Sequence, residues 1–245
     1  MGFQIASLSQ IIVPTGLTPT SAASGFPASR LTETQPPYVR PWRSTSTVEQ
    51  TLSFTMASTA IVGCHIYDAN FTSVTVASVG RTIQKDPWDS VRTPRYKLWV
   101  PLALAAQTAQ TVVIPNQATT DGAAYFQCGK IQFVKALTEL GQDPRPDMPV
   151  SIVSPQLIAQ SSNDAVYEST PAGPAFIREE WEVFGSHASV ADMFTVAEIG
   201  MHEPFLLYHN LGNDYETYYV QRVAEASVVR GHSAKTFSVT LRQIP

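Results

Sequence analysis

The side chains of this 245-residue chain best suited to chemistry are five histidines, two cysteines and twenty acidic residues. His65, His187, His202, His209 and His232 form neither H-x-H nor H-E-x-x-H, the spacings that turn two imidazoles toward one metal. His202 and Glu203 are adjacent, and adjacent side chains diverge on a strand or a helix alike. Cys64 and Cys128 lack a C-x-x-C spacing, so they do not make a structural zinc site. Each sits in a strand-like run, and without a secretory signal two small buried apolar residues are favoured over a disulfide or a reactive thiol. No G-x-S-x-G elbow singles out a nucleophile among the many serines, and no phosphate-binding glycine pattern is present. Asp86, Asp89, Asp121, Asp143 and Asp147 lie among prolines and glycines, where aspartate more often satisfies turn backbone than binds calcium. Glu179-Glu180 opens a strand without an evident partner, although two glycosidase carboxylates need not be close in sequence. The expectation is a non-enzyme with no catalytic residue, no metal and no cofactor.

The aromatic residues offer binding in place of catalysis. Trp42, Trp88, Trp99 and Trp181, with nine tyrosines, are enough for sugar-stacking platforms or interface anchors. Trp99 and Trp181 fall inside apolar strands and read as core. Trp88, in KDPWDS, is flanked by proline and aspartate in a loop, so it is the candidate exposed contact. Tyr215, Tyr218 and Tyr219 could make a sticky edge, but packing is their commoner role.

These residues must be positioned by strands. The chain is 44% apolar and only 15% charged, with a net charge of −4, against about 25% charged in an average domain. Serine and threonine, roughly a fifth of the residues, fill the gap and bias the chain toward strands. Disorder is excluded by the apolar content. A nucleic-acid surface is not expected, because sixteen Lys+Arg residues are scattered rather than clustered. No run approaches the ~20 apolar residues of a membrane helix. The start, MGFQIASLSQIIVP, lacks a basic n-region, and Ala6 breaks the myristoylation pattern, so folding in a cytoplasm is expected.

The pattern divides the chain into four parts. Residues 1–28 read as one strand, Ile5 to Val13, and an extended arm. Residues 29–140 read as a β-sandwich with strands at 8–15-residue spacing. In VEQTLSFTMA, Val48, Leu52, Phe54 and Met56 share a face by period-two alternation; in AIVGCHIYDA, Val62, Cys64 and Ile66 do so. FTSVTVASVG, YKLWVPLAL, TVVIP and YFQCGKIQFVKAL are the further strands. Residues 141–175 read as a Pro-rich linker or loop. Residues 176–245 read as β-α-β-β-β, with one helix in SHASVADMFTVAEIG, whose Val190, Met193, Phe194 and Ala197 recur at helical spacing.

One stretch carries several of these signals in fixed order. A Phe-Pro-Ala-x-x-Leu segment (Phe26 to Leu31) leads to Pro41-Trp42-Arg43-Ser44, a hydroxyl-rich turn, and two strands ending in Asn70-Phe71-Thr72. YFQCGKIQFVKAL then closes the unit. This resembles the galactose-binding-like (discoidin-like) jelly-roll module of tailed-bacteriophage virion proteins. The remainder is similar to the segment C-terminal to that module in phage tail proteins of the distal tail, adaptor or minor tail type. The implied fold is mainly β: a galactose-binding-like sandwich plus a second β-rich domain with one α-helix.

The resemblance implies a structural component of the virion tail tip or baseplate, assembled in the host cytoplasm. Its partners would be copies of itself in a ring, other tail or baseplate proteins, and a host surface glycan. Residues 176–245, joined by the Ile5–Val13 strand, would form the ring, with residues 29–140 inserted as an outer module. Trp42 and Arg43 match positions that look like framework, one burying and one pinning the chain. The alternative is a carbohydrate-binding module for host attachment. A cell-wall hydrolase is a third and weaker reading, because it lacks any motif.

Overall fold

The computed structural model describes residues 3–33, 41–82, 96–139, 150–153, 158–160, 166–168, 176–185, 196, 198–200, 203–209, 217–222, 227–230 and 235–243. The chain is mainly β, built from several antiparallel sheets. Among the described residues, helix is confined to a 3-10 turn, Ala28–Leu31, and to Val196 and Glu198. Ile199 and Gly200 are described and not helical, and the other residues of the expected helix lie outside the described residues, as do Trp88 and Tyr215.

A six-stranded sheet builds the sandwich. Its strands are β2 (Gly16–Pro19), β4 (Gln50–Ala69), β5 (Ser73–Val76), β6 (Val79–Thr82), β7 (Tyr96–Ile114) and β9 (Lys130–Val134). A two-stranded ladder of β3 (Trp42–Arg43) and β8 (Gln127–Cys128) closes one end. β2, within the expected N-terminal arm, pairs with β4 from Leu52 to Thr55.

β4 and β7 run antiparallel along nearly their whole length, with register shifts between Thr55 and Gly63. Extra residues at a bulge bend a strand and raise its twist. The bend lets the two halves of each strand lie on opposite sides of one core. Leu52, Phe54 and Met56 fill that core from the first half of β4; Ile61, Cys64 and Ile66 fill it from the second. The corner between them, Ala57 to Ala60, is mostly exposed. The Phe54 ring meets Phe133 of β9 edge-on at 5.1 Å, which ties the halves together.

Three expectations about these strands are corrected. Val62 does not share a face with Cys64 and Ile66; Ile61 takes its place, and Val62 packs on the other side of the sheet. YKLWVPLAL and TVVIP are one strand, β7, not two. Val48 lies before the strand and is 61% exposed, whereas Gln50 is buried with its amide bonded to the Val48 carbonyl and its Oε1 accepting from Ser21.

FTSVTVASVG is likewise a hairpin, β5–β6, and not a single strand. Its two-residue turn places Ala77 at φ 48° and Ser78 at φ 70°, the left-handed pair of a type I′ turn. A side chain there costs on the order of 1 kcal/mol that glycine does not. Ser78→Gly is therefore expected to stabilise the protein by about 1 kcal/mol, measured as a raised urea midpoint. An unchanged or lowered midpoint would contradict the turn assignment.

The second sheet is eight-stranded. Its members are β1 (Phe3–Ala6), β10 (Thr138–Glu139), β11 (Val150–Val153), β14 (Phe176–Gly185), β15 (Pro204–His209), β16 (Thr217–Arg222), β17 (Ser227–Arg230) and β18 (Lys235–Gln243). They lie in the order β10-β1-β15-β16-β18-β14-β11, with β17 paired to β18. The chain start thus pairs with its last third, from Phe3↔His209 to Ala6↔Leu206.

The apolar run Ile5 to Val13 is not one strand. Ser7 to Gln10 form a turn in which Gln10 Oε1 accepts from the Ser7 amide at 2.9 Å and Gln10 Nε2 donates to Thr138. Ile11 then bridges to Val134 of the sandwich, and Val13 is exposed. Residues 141–175 are more than a loop: they contain β11 and a separate hairpin of β12 (Ile158–Gln160) and β13 (Val166–Glu168). Short β-branched runs such as VSIV suffice for a strand when a partner, here β14, is available.

Candidate functional site

Two places bring polar and aromatic side chains together: one end of the sandwich, and the junction between the two sheets.

The sandwich end is organised by β3 and β8, where alternation sorts the side chains. Trp42 and Cys128 are opposed and point inward, both fully buried, while Arg43 and Gln127 are opposed on the other face. Trp42 donates its indole N–H to the Ser21 carbonyl at 3.2 Å, so the framework position is a core residue with its one polar atom satisfied. Phe126 is buried beside it, its amide donating to Ser44 Oγ at 2.8 Å.

Arg43 is held from below by Gln127, whose Oε1 accepts from Nε at 2.8 Å. Its guanidinium lies 4.0 Å from the centre of the Phe26 ring and 5.0 Å from that of Tyr125. The Ala23–Phe26 turn delivers Phe26: its amide donates to the Ala23 carbonyl at 2.9 Å, and Gly25 takes φ 79°. That angle is where glycine is at ease and other residues are not. The adjoining 3-10 turn adds Arg30, 5.5 Å from the same Phe26 ring. Buried Lys130 anchors the exit of that turn by donating to the Glu33 carbonyl, and burial pulls its ammonium down to about 8. The result is a stacked cluster in which Arg30 and Arg43 both approach Phe26 and Arg43 also approaches Tyr125, all half-buried.

Asn70 braces the neighbouring loop, donating to Asp121 at 3.1 Å and to the Tyr125 carbonyl at 3.1 Å and accepting from the Gln127 amide at 2.7 Å. Asp121 serves turn backbone as expected, accepting from the Ala123 amide.

The junction uses the outer face of the sandwich. Cys64 and Ile66 face the core, so His65 and Tyr67 face outward, yet neither is exposed. The second sheet packs on this side through Trp99 and Lys97. Trp99, opposed to His65 across β4 and β7, stacks on Tyr208 of β15 with ring centres 5.2 Å apart. Ala6, Ile11, Val134 and Leu206 complete this second apolar cluster. Lys97 places its ammonium 3.7 Å from the Tyr218 ring centre of β16. Tyr218 and Tyr219 are therefore packed, as their spacing suggested.

His65 is fully buried, and neither ring nitrogen has a hydrogen-bond partner. Burial, and secondarily the Lys97 charge, lower its pKa from 6.5 to about 3. Gln132 on β9 pulls weakly the other way, without reaching hydrogen-bond geometry. Tyr219 is also buried with an unpaired hydroxyl, and desolvation pushes it up to about 12. Cys64 and Cys128 are free, buried thiols whose acidity burial suppresses. A neutral thiol is a poor nucleophile, so both behave as small apolar residues.

Among the described residues, no three His, Cys, Asp or Glu side chains converge as metal donors. No helix there is long and apolar enough to cross a membrane.

No family model matches the chain, and no curated protein matches it. Among solved structures, a chain of the X-ray crystal structure of reduced XRCC1 bound to the DNA polymerase β catalytic domain is similar at a TM-score of 0.39 and 12% identity, over 51% of this chain and 99% of that one. A carbohydrate-binding module, CBM32-3 of a family 31 glycoside hydrolase from Clostridium perfringens, is similar at 0.34 and 7%, over 54% and 95%. At these TM-scores the likeness assigns neither a ligand nor a function.

The stack draws its members from three segments. Phe26, Arg30 and Arg43 stand in the stretch that carried the family resemblance, but as framework. Tyr125 opens YFQCGKIQFVKAL, read only as a closing strand; the β3–β8 pairing puts it beside Arg43.

Proposed function

We propose that this chain is a structural component of a tailed-bacteriophage virion, at the tail tip or baseplate, and works by assembling with copies of itself and with other tail proteins. The observation that carries this reading is the pairing of β1 with β15. It joins the start of the chain to its last third in one sheet, with the sandwich built from the sequence between. A core sheet that holds an outer module in this way suits a ring subunit whose module faces outward. The low charge supports it: a free protein with so neutral a surface is prone to association, whereas a packed subunit has that surface covered. On this reading the chain does no chemistry.

Native mass spectrometry of the purified protein tests the proposal. A closed oligomer, alone or with tail proteins from the same virion, is expected. A monomer at every concentration, with no incorporation into particles, would overturn it.

A second reading has an observation of its own. The half-buried aromatic rings flanking Arg43 at the sandwich end offer the stacking surface and fixed donors a sugar needs. This favours attachment of the particle to a host glycan, which the same module would mediate while its neighbour sheet assembles. Saturable binding of the full-length protein on a glycan array is the expected result. In the same assay Trp88→Ala tests the loop contact expected from sequence.

A further inference from the structure

We propose that the Arg30–Phe26–Arg43–Tyr125 stack is a binding site for the anionic group of an acidic saccharide. This rests on the second reading above and specifies its ligand class. Two guanidiniums approach one phenyl ring, at 4.0 and 5.5 Å from its centre. Neither arginine forms an ion pair among the described residues. The one acid on the adjoining loop, Asp121, is bonded to Asn70 and to the Ala123 amide.

Cation–π contacts hold the charges in place without neutralising them. Two like charges near one ring repel, and an anion that pairs with either of them lowers that repulsion. Gln127 occupies Nε of Arg43 and so leaves the guanidinium's two terminal nitrogens as a fork. A fork of this kind matches the two oxygens of a carboxylate or sulfate. Phe26 and Tyr125, both partly exposed, leave apolar ring surface beside the fork for the C–H side of a pyranose. Charge, fork and stacking surface together describe a uronate or a sulfated sugar better than a neutral one.

The test is titration calorimetry on the full chain with three probes: an oligogalacturonate, a sulfated oligosaccharide and a neutral galactan. Binding of an acidic probe is expected, weakening as salt is raised. Arg43→Gln and, separately, Arg30→Gln should each weaken it at least about tenfold, roughly 1.4 kcal/mol. Arg30 is half-exposed, so its variant reports on binding even where Arg43→Gln disturbs the β3–β8 ladder. Preference between the first two probes decides carboxylate against sulfate. Equal binding of the neutral galactan, unaffected by either substitution, would overturn this inference and leave the glycan reading standing. No binding of any saccharide would overturn both.

Discussion

Gly63→Ala is expected to destabilise the protein by about 3–4 kcal/mol, an effect carried almost wholly by Trp99. A methyl group built on Gly63 falls within the Trp99 ring, on its Cζ2 and Cη2 atoms. No rotation of the methyl avoids this, so the indole must leave its place. Overfilling a packed site costs about 1–3 kcal/mol, and losing an aromatic pair adds about 0.5–1.5 kcal/mol. The pair at stake is Trp99 on Tyr208, the main aromatic contact between sandwich and second sheet. Trp99→Ala alone should cost about 3–5 kcal/mol. In that background the three atoms nearest the methyl group, all of the Trp99 ring, are gone, so adding Gly63→Ala should cost less than about 1 kcal/mol. A double-mutant cycle by urea denaturation would then show a coupling of at least about 2 kcal/mol. Additive costs, within about 0.5 kcal/mol, would mean that Trp99 is not what Gly63 makes room for. Scattering in solution should also show Gly63→Ala with a larger radius of gyration than the parent, because the junction loosens before either sheet melts.

Gly63 also marks the limit of what the sequence discloses. Period-two alternation found Leu52, Phe54 and Met56 correctly, because that half of β4 has one face in the core and one in water. Past the bulge the second half is buried on both faces. Alternation then carries no contrast: His65 and Tyr67 are as hidden as Cys64 and Ile66. The phase slip that exchanged Ile61 for Val62 left no local mark either, since both residues are β-branched and apolar. Trp99 was legible as core from its apolar strand, Trp42 only through the resemblance, and both are buried. The arginine stack was not legible, for a different reason. Its contacts to Arg43 link segments that only sheet pairing brings together, Phe26 and Tyr125 lying 17 and 82 residues away in the chain, and Arg43 was marked only as framework.

The junction also predicts how stability depends on pH, and His65 sets the sign. Its folded-state pKa is about 3, while an unfolded histidine titrates near 6.5. Between these values the unfolded chain binds a proton that the folded chain refuses, so stability falls as the pH drops through this window. Above about pH 6.5 both states carry a neutral imidazole and the effect vanishes. Each unit of difference is worth about 1.4 kcal/mol, so the loss approaches roughly 4–5 kcal/mol near pH 3. The physical cause is that an imidazolium placed here would be dry, without an acceptor, and on the same side of the sheet as the Lys97 ammonium. Surface carboxylates titrate over part of this range too, so a single pH profile is not decisive; the difference between two proteins is. His65→Phe keeps an aromatic ring beside Tyr67, now 5.6 Å away, and removes the proton. Urea midpoints measured from pH 7 to pH 4 should fall more steeply for the parent than for His65→Phe. The two curves should diverge by about 3 kcal/mol at the acid end. His65→Gln, which cannot titrate either, should follow the flatter curve whatever its stability at neutral pH. Parallel curves for all three would show that His65 accepts its proton in the folded protein, and that the junction is wetter than its packing implies.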